Sequence, residues 1–415
     1  MPSQCPRKSL QSDIYGANVE FRRFSTLGIK ILQRTLNIPQ LLKKKTHFLF
    51  GARGTGKSFL IEHQLAGQSE ILSLLDSDLY LNLSNSPSQL RALVAQSPHS
   101  IIVIDEIQRI PELLNEVHLI IQSDKAKRLR FLLTGSSARR LKREHANMLG
   151  GRARKASLHP LTMYELIAEN RFDLDRYLNF GGLPAVYLGP EPYLDLRDYL
   201  DTYLNDEIKT EAAVRNLPAF SRFLKVAGLS NGQQINYAKM ASDAQVKANT
   251  LREHFQILVD TLLAIQIEPW QDGKSRRPVA TSKFYFSDCG IANAAAGIKI
   301  VPPLTERWGT CFEQAIALEI NAYLSYSQKT SNLNYWRTET GIEVDFILEG
   351  RVGIEAKSAG HTSNRDHKNL LKLKDEGSFD RLIVVNASPR SMEIDGVSHL
   401  SLTDFVRALW SGEII

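Results

Sequence analysis

The sequence contains few cysteines and no long apolar segment. Its three cysteines, Cys5, Cys289 and Cys311, lie far apart in the 415 residues and form no Cys-x-x-Cys pair, so neither a disulfide framework nor a structural zinc site is indicated. No window approaches the roughly eighteen apolar residues of a membrane span. The first residues, MPSQCPRKSLQSD, lack the apolar stretch of a signal peptide. We therefore expect no membrane association and a cytoplasmic location.

The composition is that of an ordinary globular protein with two or three domains. Hydrophobic residues make up 43% and charged residues 23% of the chain, which allows a full core. The net charge of +6 permits an anionic partner without requiring one. Basic residues are concentrated at positions 43–45, between positions 128 and 155, and at Lys274, Arg276 and Arg277. For each concentration taken alone, a solvated surface is the favoured interpretation.

The most informative motif is a glycine-rich turn in FLFGARGTGKS, at positions 48–58. The apolar run before it, the helix-compatible run after it and the spacing of its glycines from Lys57 and Ser58 are those of a phosphate-binding loop. Glycines let backbone N–H groups turn inward, and a helix N-terminus attracts phosphate. We expect Lys57 to reach the β- and γ-phosphates of ATP and Ser58 to coordinate Mg²⁺. The predicted nucleotide-binding residues are Gly51, Ala52, Arg53, Gly54, Thr55, Gly56, Lys57, Ser58 and Phe59.

A second motif, IIVIDE at positions 101–106, supports the first. Branched apolar residues followed by two carboxylates are typical of a buried parallel strand that presents acids at its carboxyl end. Asp105 is predicted to hold Mg²⁺ through water. Glu106 is predicted to polarise the water that attacks the γ-phosphate, which makes it a catalytic residue together with Lys57.

Two further features each allow two interpretations. The hydroxyls of Thr134, Ser136 and Ser137 follow a strand predicted at positions 129–133, and they either sense the γ-phosphate or cap the helix that begins near position 138. Arg152 either neutralises transition-state charge on a nucleotide of the same chain or of a neighbouring copy, or is a surface arginine. A role for a neighbouring copy would require a homo-oligomer.

Short apolar runs alternate with helical segments from position 46 onward, which predicts a parallel sheet covered on both faces, with its ligand at the carboxyl ends of the strands. The predicted strands are 48–50, 80–83, 101–104 and 129–133, and the predicted helices are 59–65, 87–95 and 113–121. Before the sheet, a helix is predicted at positions 27–37 and is expected to stop at Pro39.

Three short helices and a two-stranded ribbon are predicted between positions 221 and 287, the outline of a winged helix-turn-helix. Asn249–Leu258 would be the recognition helix, and Lys274, Arg276 and Arg277 would lie on the wing. Three cations on a wing suit phosphate contacts with DNA. The recognition helix is not basic, however, and such domains also dock proteins. Both interpretations stay open.

A second possible active site is predicted near the C-terminus. Strands at 343–348 and 352–357, joined by a turn at Gly350, place Asp345 directly opposite Glu355, and Lys357 projects from the same face as Glu355. Two facing carboxylates repel each other unless a proton or a cation lies between them. A Mg²⁺ or Mn²⁺ held by Asp345, Glu355 and Glu313, with Lys357 orienting water, would make a phosphodiester hydrolase. The alternative is a solvent-facing hairpin whose charges compensate one another.

With these motifs the chain resembles a family of prokaryotic ATPases that join an AAA-type P-loop domain to a C-terminal domain with a restriction-endonuclease-like fold. The shared motifs are GARGTGKS, IDEIQ, LTGSS, Gly151-Arg152 before HPLTMYEL, FGGLP, GIEVDFIL and IEAK. The resemblance strongly implies ATP binding. It also implies a terminal domain similar to nucleases in motif and fold, but it implies nuclease chemistry only weakly.

The sequence as a whole predicts an α/β protein: a P-loop NTPase parallel sheet, a winged-helix domain and a restriction-endonuclease-like α/β domain. The predicted boundaries are 1–45 for a helical lead-in, 46–200 for the ATPase domain with a helical lid, 201–295 for the winged helix and 300–415 for the nuclease-like domain. The predicted function is ATP binding and hydrolysis with DNA as partner and a metal-dependent nuclease-like domain. The alternative is a regulatory switch with slow ATP turnover, binding ATP or ADP, whose winged-helix and terminal domains bind DNA or protein without cleavage.

Overall fold

The computed structural model describes residues 32–123, 128–137, 139, 149–204, 208, 216–271, 281–360 and 367–415. Residues from Arg34 onward form one compact unit, and the account below concerns that unit alone. Within these ranges no helix has the length and apolarity that crossing a bilayer requires. The wing residues Lys274, Arg276 and Arg277 lie outside the described residues, as do the first residues of the helix predicted at 27–37.

Helices and strands alternate in the first part of the unit, and two sheets organise it. The helices are α1 (Ile38–Lys44), α2 (Lys57–Gln64), α3 (Ser77–Asn85), α4 (Gln89–Gln96), α5 (Leu113–Ser123), α6 (Met163–Ala168), α7 (Leu174–Phe180), α8 (Pro184–Leu188), α9 (Pro192–Thr202), α10 (Leu217–Leu229), α11 (Tyr237–Ala244), α12 (Ala248–Asp260), α13 (Cys289–Ala296), α14 (Glu306–Tyr326), α15 (Lys368–Leu373) and α16 (Leu402–Ser411). The strands are β1 (Thr46–Phe50), β2 (Ser69–Ser73), β3 (Ile101–Asp105), β4 (Arg130–Gly135), β5 (Ala153–Ser157), β6 (Ala264–Pro269), β7 (Lys283–Phe286), β8 (Leu333–Arg337), β9 (Glu343–Leu348), β10 (Val352–Lys357), β11 (Arg381–Asn386), β12 (Met392–Ile394) and β13 (Val397–Ser401).

The first sheet has five parallel strands in the order β2-β3-β4-β1-β5. Its strands are almost wholly apolar because both faces are covered. Phe48 and Phe50 pack in one core with the residues of α5, whereas Leu49 between them packs on the opposite face with α1 and α2. The predicted parallel α/β sheet is confirmed, and its carboxyl edge brings the ends of β1, β3 and β4 together.

Two local predictions in this region are wrong. The run at positions 80–83, predicted as a strand, lies within helix α3, which begins after Asp76, whose carboxylate accepts a hydrogen bond of 2.8 Å from the N–H of Leu79. Pro39 does not stop a helix. It lies in the first turn of α1, where the missing N–H of a proline costs nothing, and Asn37 caps that helix. Strand β2, which the sequence interpretation missed, is a half-polar strand at the edge of the sheet.

Helices α10, α11 and α12 precede the antiparallel ribbon β6–β7. This is the element order expected of a winged helix, and the winged-helix assignment stays a prediction. The ribbon is part of a larger sheet of eight strands in the order β12-β13-β11-β10-β9-β8-β6-β7. Residue Pro269 of β6 pairs with Tyr335 of β8, so the sheet crosses the boundary predicted between positions 295 and 300. A side chain on β7 can therefore reach residues of the C-terminal segment.

Candidate nucleotide site and carboxylate cluster

The phosphate-binding loop connects the end of β1 to the start of α2. Gly51 lies so close to the segment that follows β5 that a Cβ added at Gly51 would be 2.7 Å from the carbonyl oxygen of Leu158. Gly56 caps α2 with a positive φ of 88°, which glycine adopts without strain. The close approach at Gly51 and the positive φ at Gly56 thus both favour glycine at these two positions of the loop.

Lys57 is buried, although it carries a charge. Its ammonium donates hydrogen bonds to the carbonyl oxygens of Gly51 at 2.5 Å and Ala52 at 3.2 Å, on the loop itself. The Thr55 hydroxyl donates to the same Ala52 oxygen at 2.8 Å and braces the turn. Ser58 follows on the first turn of α2 and is exposed. The charge of Lys57 is therefore held at the loop, where a phosphate would meet it.

The other exposed side chains of the predicted nucleotide site include Arg53 and Phe59. The ring of Phe59 stacks on His63 one turn along α2, with ring centroids 6.2 Å apart. This stacking holds the Phe59 ring against its own helix. The roles of Arg53 and Phe59 in nucleotide binding stay predictions.

Asp105 and Glu106 follow one another at the carboxyl end of β3. The hydroxyl of Thr134, on the adjacent strand β4, donates a hydrogen bond to the Asp105 carboxylate and accepts one of 3.3 Å from the backbone N–H of Glu106. Thr134 therefore orients the acid pair. Glu106 takes a left-handed backbone conformation with φ of 59°, a strained geometry for a residue with a side chain, of the kind that clusters at functional sites.

Burial raises the pKa of Glu106, and the charge of Asp105 raises it further. The charge of Lys57, the hydrogen bond from Gln108 and the charge of Arg53 act in the opposite direction. The charges of Lys57 and Asp105 thus both act on Glu106, and the catalytic roles of these residues stay predictions. A carboxylate whose pKa is raised toward the working pH is a better general base.

Gln108 and Ser136 also lie at this site, and the sequence interpretation assigned no role to Gln108. The amide nitrogen of Gln108 donates to the Glu106 carboxylate and lies 3.4 Å from the Ser136 hydroxyl. Among the described residues no partner is found for the buried amide oxygen of Gln108. Ser137 faces elsewhere: its hydroxyl accepts from the N–H of Arg139 at 3.0 Å. Of the two interpretations of these hydroxyls, Thr134 and Ser136 fit the site, and Ser137 fits a cap.

Arg152 lies at the wrong end of the sheet for a same-chain role. It precedes β5, whose first residue, Ala153, pairs with Thr46 at the start of β1. The phosphate-binding loop follows the other end of β1, five residues or roughly 16 Å away. An arginine side chain is too short for that distance, so the same-chain interpretation is wrong. Contact with the nucleotide of a neighbouring copy stays a prediction.

Comparison with known proteins assigns the nucleotide-binding region. Residues 43–167 match the family described as AAA domain. This part of the chain is thus similar to AAA domains. Residues 171–300 and 308–405 match two families described as domains of unknown function, DUF8612 and DUF4143 respectively. The phosphate-binding loop and the acid pair lie within the AAA domain, and Asp345, Glu355 and Lys357 lie within the last segment.

Two relatives match most of the chain. A protein of Haemophilus influenzae described as uncharacterized is 20% identical over 412 residues, which cover 91% of this chain and 98% of that protein. The uncharacterized protein MJ1544 of Methanocaldococcus jannaschii is 20% identical over 382 residues, covering 84% of this chain and 81% of that protein. In both, the similarity extends from the AAA domain into the C-terminal segment.

Solved structures give weaker similarities. The RuvB Holliday junction branch migration motor of Thermotoga maritima covers 60% of this chain and 89% of its own, at 15% identity and a TM-score of 0.27. A structure of Drosophila ORC bound to AT-rich DNA and Cdc6 covers 66% of this chain and 89% of its own, at 8% identity and a TM-score of 0.19. The assignment of the AAA domain therefore rests on the family match.

The C-terminal carboxylates are brought together by β9 and β10. The ladder pairs Phe346 with Ile354, so the next pair in this register is Asp345 opposite Glu355. The carboxylate of Asp345 accepts a hydrogen bond of 2.8 Å from the backbone N–H of Ala356. Burial raises the pKa of Asp345 well above its usual value, and the charge of Glu355 raises it further. The predicted pair is present, and the charge of one carboxylate disfavours ionisation of the other.

The carboxylate of Glu355 is buried, and among the described residues its two oxygens differ in their hydrogen-bond partners. The ammonium of Lys357 lies 2.6 Å from its Oε1, as the alternation along β10 predicted. Its Oε2 is enclosed, and no hydrogen-bond partner for it is found in the part of the chain that the structure describes. Burial raises the pKa of Glu355, while Lys357 lowers it. A buried acceptor without a partner is costly and marks the place where a ligand atom or proton is needed.

Glu313, the third predicted metal ligand, is already bound by the protein. Its Oε1 accepts hydrogen bonds from the ammonium of Lys283 at 2.9 Å and from the hydroxyl of Tyr285 at 2.5 Å. Within the described ranges no three His, Cys, Asp or Glu side chains are arranged to hold a metal ion. The predicted set of Asp345, Glu355 and Glu313 therefore does not fit a divalent cation as arranged. The reason is Lys283, a residue that nothing in the local sequence pattern singled out.

Proposed function

We propose that the protein is an ATP-hydrolysing molecular switch that acts on DNA. The observation that supports ATP hydrolysis is the convergence of Lys57, Asp105 and Glu106 at one edge of the AAA domain's sheet. Lys57 binds the phosphates, and the loop amides orient them for attack. Glu106, oriented by Gln108 and Thr134, accepts the proton of the attacking water. Ser58, and Asp105 through water, would hold Mg²⁺, which would supply positive charge to the phosphates.

DNA is the proposed partner because the chain is basic overall and because its middle segment has the element order of a winged helix. Helix α12 carries the polar residues Asn249, Arg252, Glu253 and Gln256. The guanidinium of Arg252 lies over the ring of Tyr237, 4.7 Å from its centroid, a cation–π arrangement. This helix offers polar and aromatic groups to a nucleic acid without a strong positive charge.

ATP turnover measured with and without duplex DNA tests this proposal, with Lys57→Ala as the blank. Turnover that rises on adding DNA and disappears in Lys57→Ala is the expected result. Turnover that DNA does not change would contradict the assignment of DNA as the partner. Turnover that persists in Lys57→Ala would contradict the proposed ATP site.

A second candidate function is a slow regulatory switch whose C-terminal segment binds DNA or protein without cleavage. One observation favours it over the nuclease: Lys283 holds Glu313, so the carboxylates do not form a ready metal site. The nuclease alternative predicts nicking of DNA that depends on Mg²⁺ or Mn²⁺ and is lost in Asp345→Ala. Nicking that survives both Asp345→Ala and Lys357→Ala would exclude the predicted catalytic set Asp345, Glu355 and Lys357.

A further inference from the structure

A buried lysine from outside the C-terminal segment lies among its carboxylates. Lys283 is the first residue of β7, the strand that closes the ribbon after α12, and its side chain is only 4% exposed. Its ammonium contacts Glu313 at 2.9 Å and also pairs with Glu343. The position of Lys283 in the chain, 30 residues before Glu313, gave no sign of this contact.

The ammonium lies within a cluster of four carboxylates, defined here as Glu313, Glu343, Asp345 and Glu355. The charge of Lys283 also acts on Asp345, the central member of the cluster. Two other cations face it: Lys357 pairs with Glu355 at 2.6 Å, and Arg337 pairs with Glu343 at 2.7 Å. Both are at least one-third exposed, with 34% and 40% of their side chains accessible. Lys283 is the buried cation of the three.

A buried ammonium and a divalent cation answer the same need, because each supplies the positive charge that enclosed carboxylates require. They cannot both use the oxygen of Glu313. Within the described residues, the Oε2 of the buried Glu355 has no hydrogen-bond partner, so it is a ligand atom that these residues do not satisfy. The cluster is thus rich in carboxylate oxygens, and a protein cation, Lys283, supplies the positive charge that they need.

We propose that Lys283 is an internal counter-ion that takes the place of a divalent cation in the carboxylate cluster and keeps Mg²⁺ or Mn²⁺ out. This inference rests on the nuclease alternative given above, in which Asp345 and Glu355 ligate a metal. The strand β7, which carries the ammonium, is held in the sheet by its pairing with β6.

The structure offers a space next to the ammonium on the side of the helical segment. A cavity of about 600 Å³ is lined on one side by residues around the turn before α11 and on the other by Lys283 and side chains near it. The lining includes Gly232, Gln234, Tyr237, Lys283, Arg337 and Glu343. Its walls are polar.

Calorimetric titration of the full-length protein with Mn²⁺ alone tests the proposal. Lys283→Met removes the buried cation and should bind Mn²⁺ more tightly than the wild type, by about tenfold or more. Arg337→Met is the matched control. It removes a cation that pairs with Glu343 but leaves Glu313 paired with Lys283, so it should change the affinity for Mn²⁺ little. Equal affinity of Lys283→Met and wild type would overturn the proposal.

Two additional variants separate the possible failures. Lys283→Met/Glu343→Gln removes one charge of each sign and so keeps the buried charges balanced. It replaces the single variant if that variant does not fold, and it should also bind Mn²⁺ more tightly than the wild type. Adding Asp345→Asn to Lys283→Met should abolish the gain. If the wild type itself binds Mn²⁺ tightly and Asp345→Asn abolishes this binding, the metal site is supported but the role of Lys283 is overturned. Absence of binding in every folded variant would overturn both.

Discussion

Arg34 donates a hydrogen bond of 2.9 Å to the backbone carbonyl of Thr55, inside the phosphate-binding loop. The same buried guanidinium pairs with Glu165 at 3.0 Å and donates to the carbonyl of His159 at 2.6 Å. It also lies 3.3 Å from the hydroxyl of Tyr326, the last residue of α14. One arginine therefore connects the loop that would bind ATP to the helix that carries Glu313.

Replacing Arg34 with methionine should destabilise the protein and weaken ATP binding. The carboxylate of Glu165 would be left buried without its cation, which typically costs about 3–5 kcal/mol, and the Thr55 carbonyl would lose its donor. Thermal unfolding and ATP titration measure the two effects. Arg34→Met/Glu165→Gln should recover part of the unfolding midpoint, because no uncompensated charge remains. A double variant less stable than the single one would contradict the assigned ion pair.

Glu106→Gln should retain ATP binding and lose turnover by about a hundredfold or more, since glutamine cannot accept the proton of the attacking water. Steady-state phosphate release and nucleotide binding are measured on the same preparation. The control is Glu112→Gln, an exposed glutamate a few residues along the chain, which should leave turnover unchanged. If Glu106→Gln hydrolyses ATP at nearly the wild-type rate, Glu106 is not the base.

The stability of the protein should depend on pH through Glu319, a buried carboxylate of α14. It accepts hydrogen bonds from the backbone N–H groups of Met163 and Tyr164 and from the indole of Trp410. Burial nevertheless raises the pKa of Glu319 from 4.5 to about 7. The folded protein thus binds the proton more tightly than the unfolded chain. This contribution to stability is complete below pH 4.5 and is lost as the pH rises through 7.

Glu319→Gln isolates that dependence. Between pH 4.5 and 7 the unfolding free energy of the wild type should fall relative to that of Glu319→Gln by at most about 1.4 kcal/mol per pH unit. Denaturant unfolding at several pH values measures it, and the slope rather than the level is the readout. Parallel pH profiles for the two proteins would contradict the raised pKa.

The parts of the site that the sequence predicted are those whose residues are close together along the chain. Lys57 and Ser58 follow the glycines of one turn, and Asp345 and Glu355 belong to one hairpin, so strand geometry alone sets them opposite each other. Arg34 and Lys283 reach their partners across distant parts of the chain: Arg34 is 131 residues from Glu165. No local pattern carries such a contact.

The errors in the fold also have physical reasons. The four residues at 80–83 are mostly apolar, but so short an apolar run fits a helix as well as a strand, and the decisive signal was the cap at Asp76. Strand β2 was missed because it lies at the sheet edge and is only partly buried, so its sequence is not the apolar run of an interior strand. The extension of the ribbon β6–β7 into the C-terminal sheet is a tertiary pairing that no single segment encodes.

The most direct test of the account is calorimetric titration of the folded protein with ATP and with ADP in magnesium buffer, beside Lys57→Ala. The account predicts saturable heat for the wild type, because the loop amides and the ammonium of Lys57 grip the phosphates, and heat that is largely lost in the variant. No heat with either nucleotide for a well-folded wild type would contradict it.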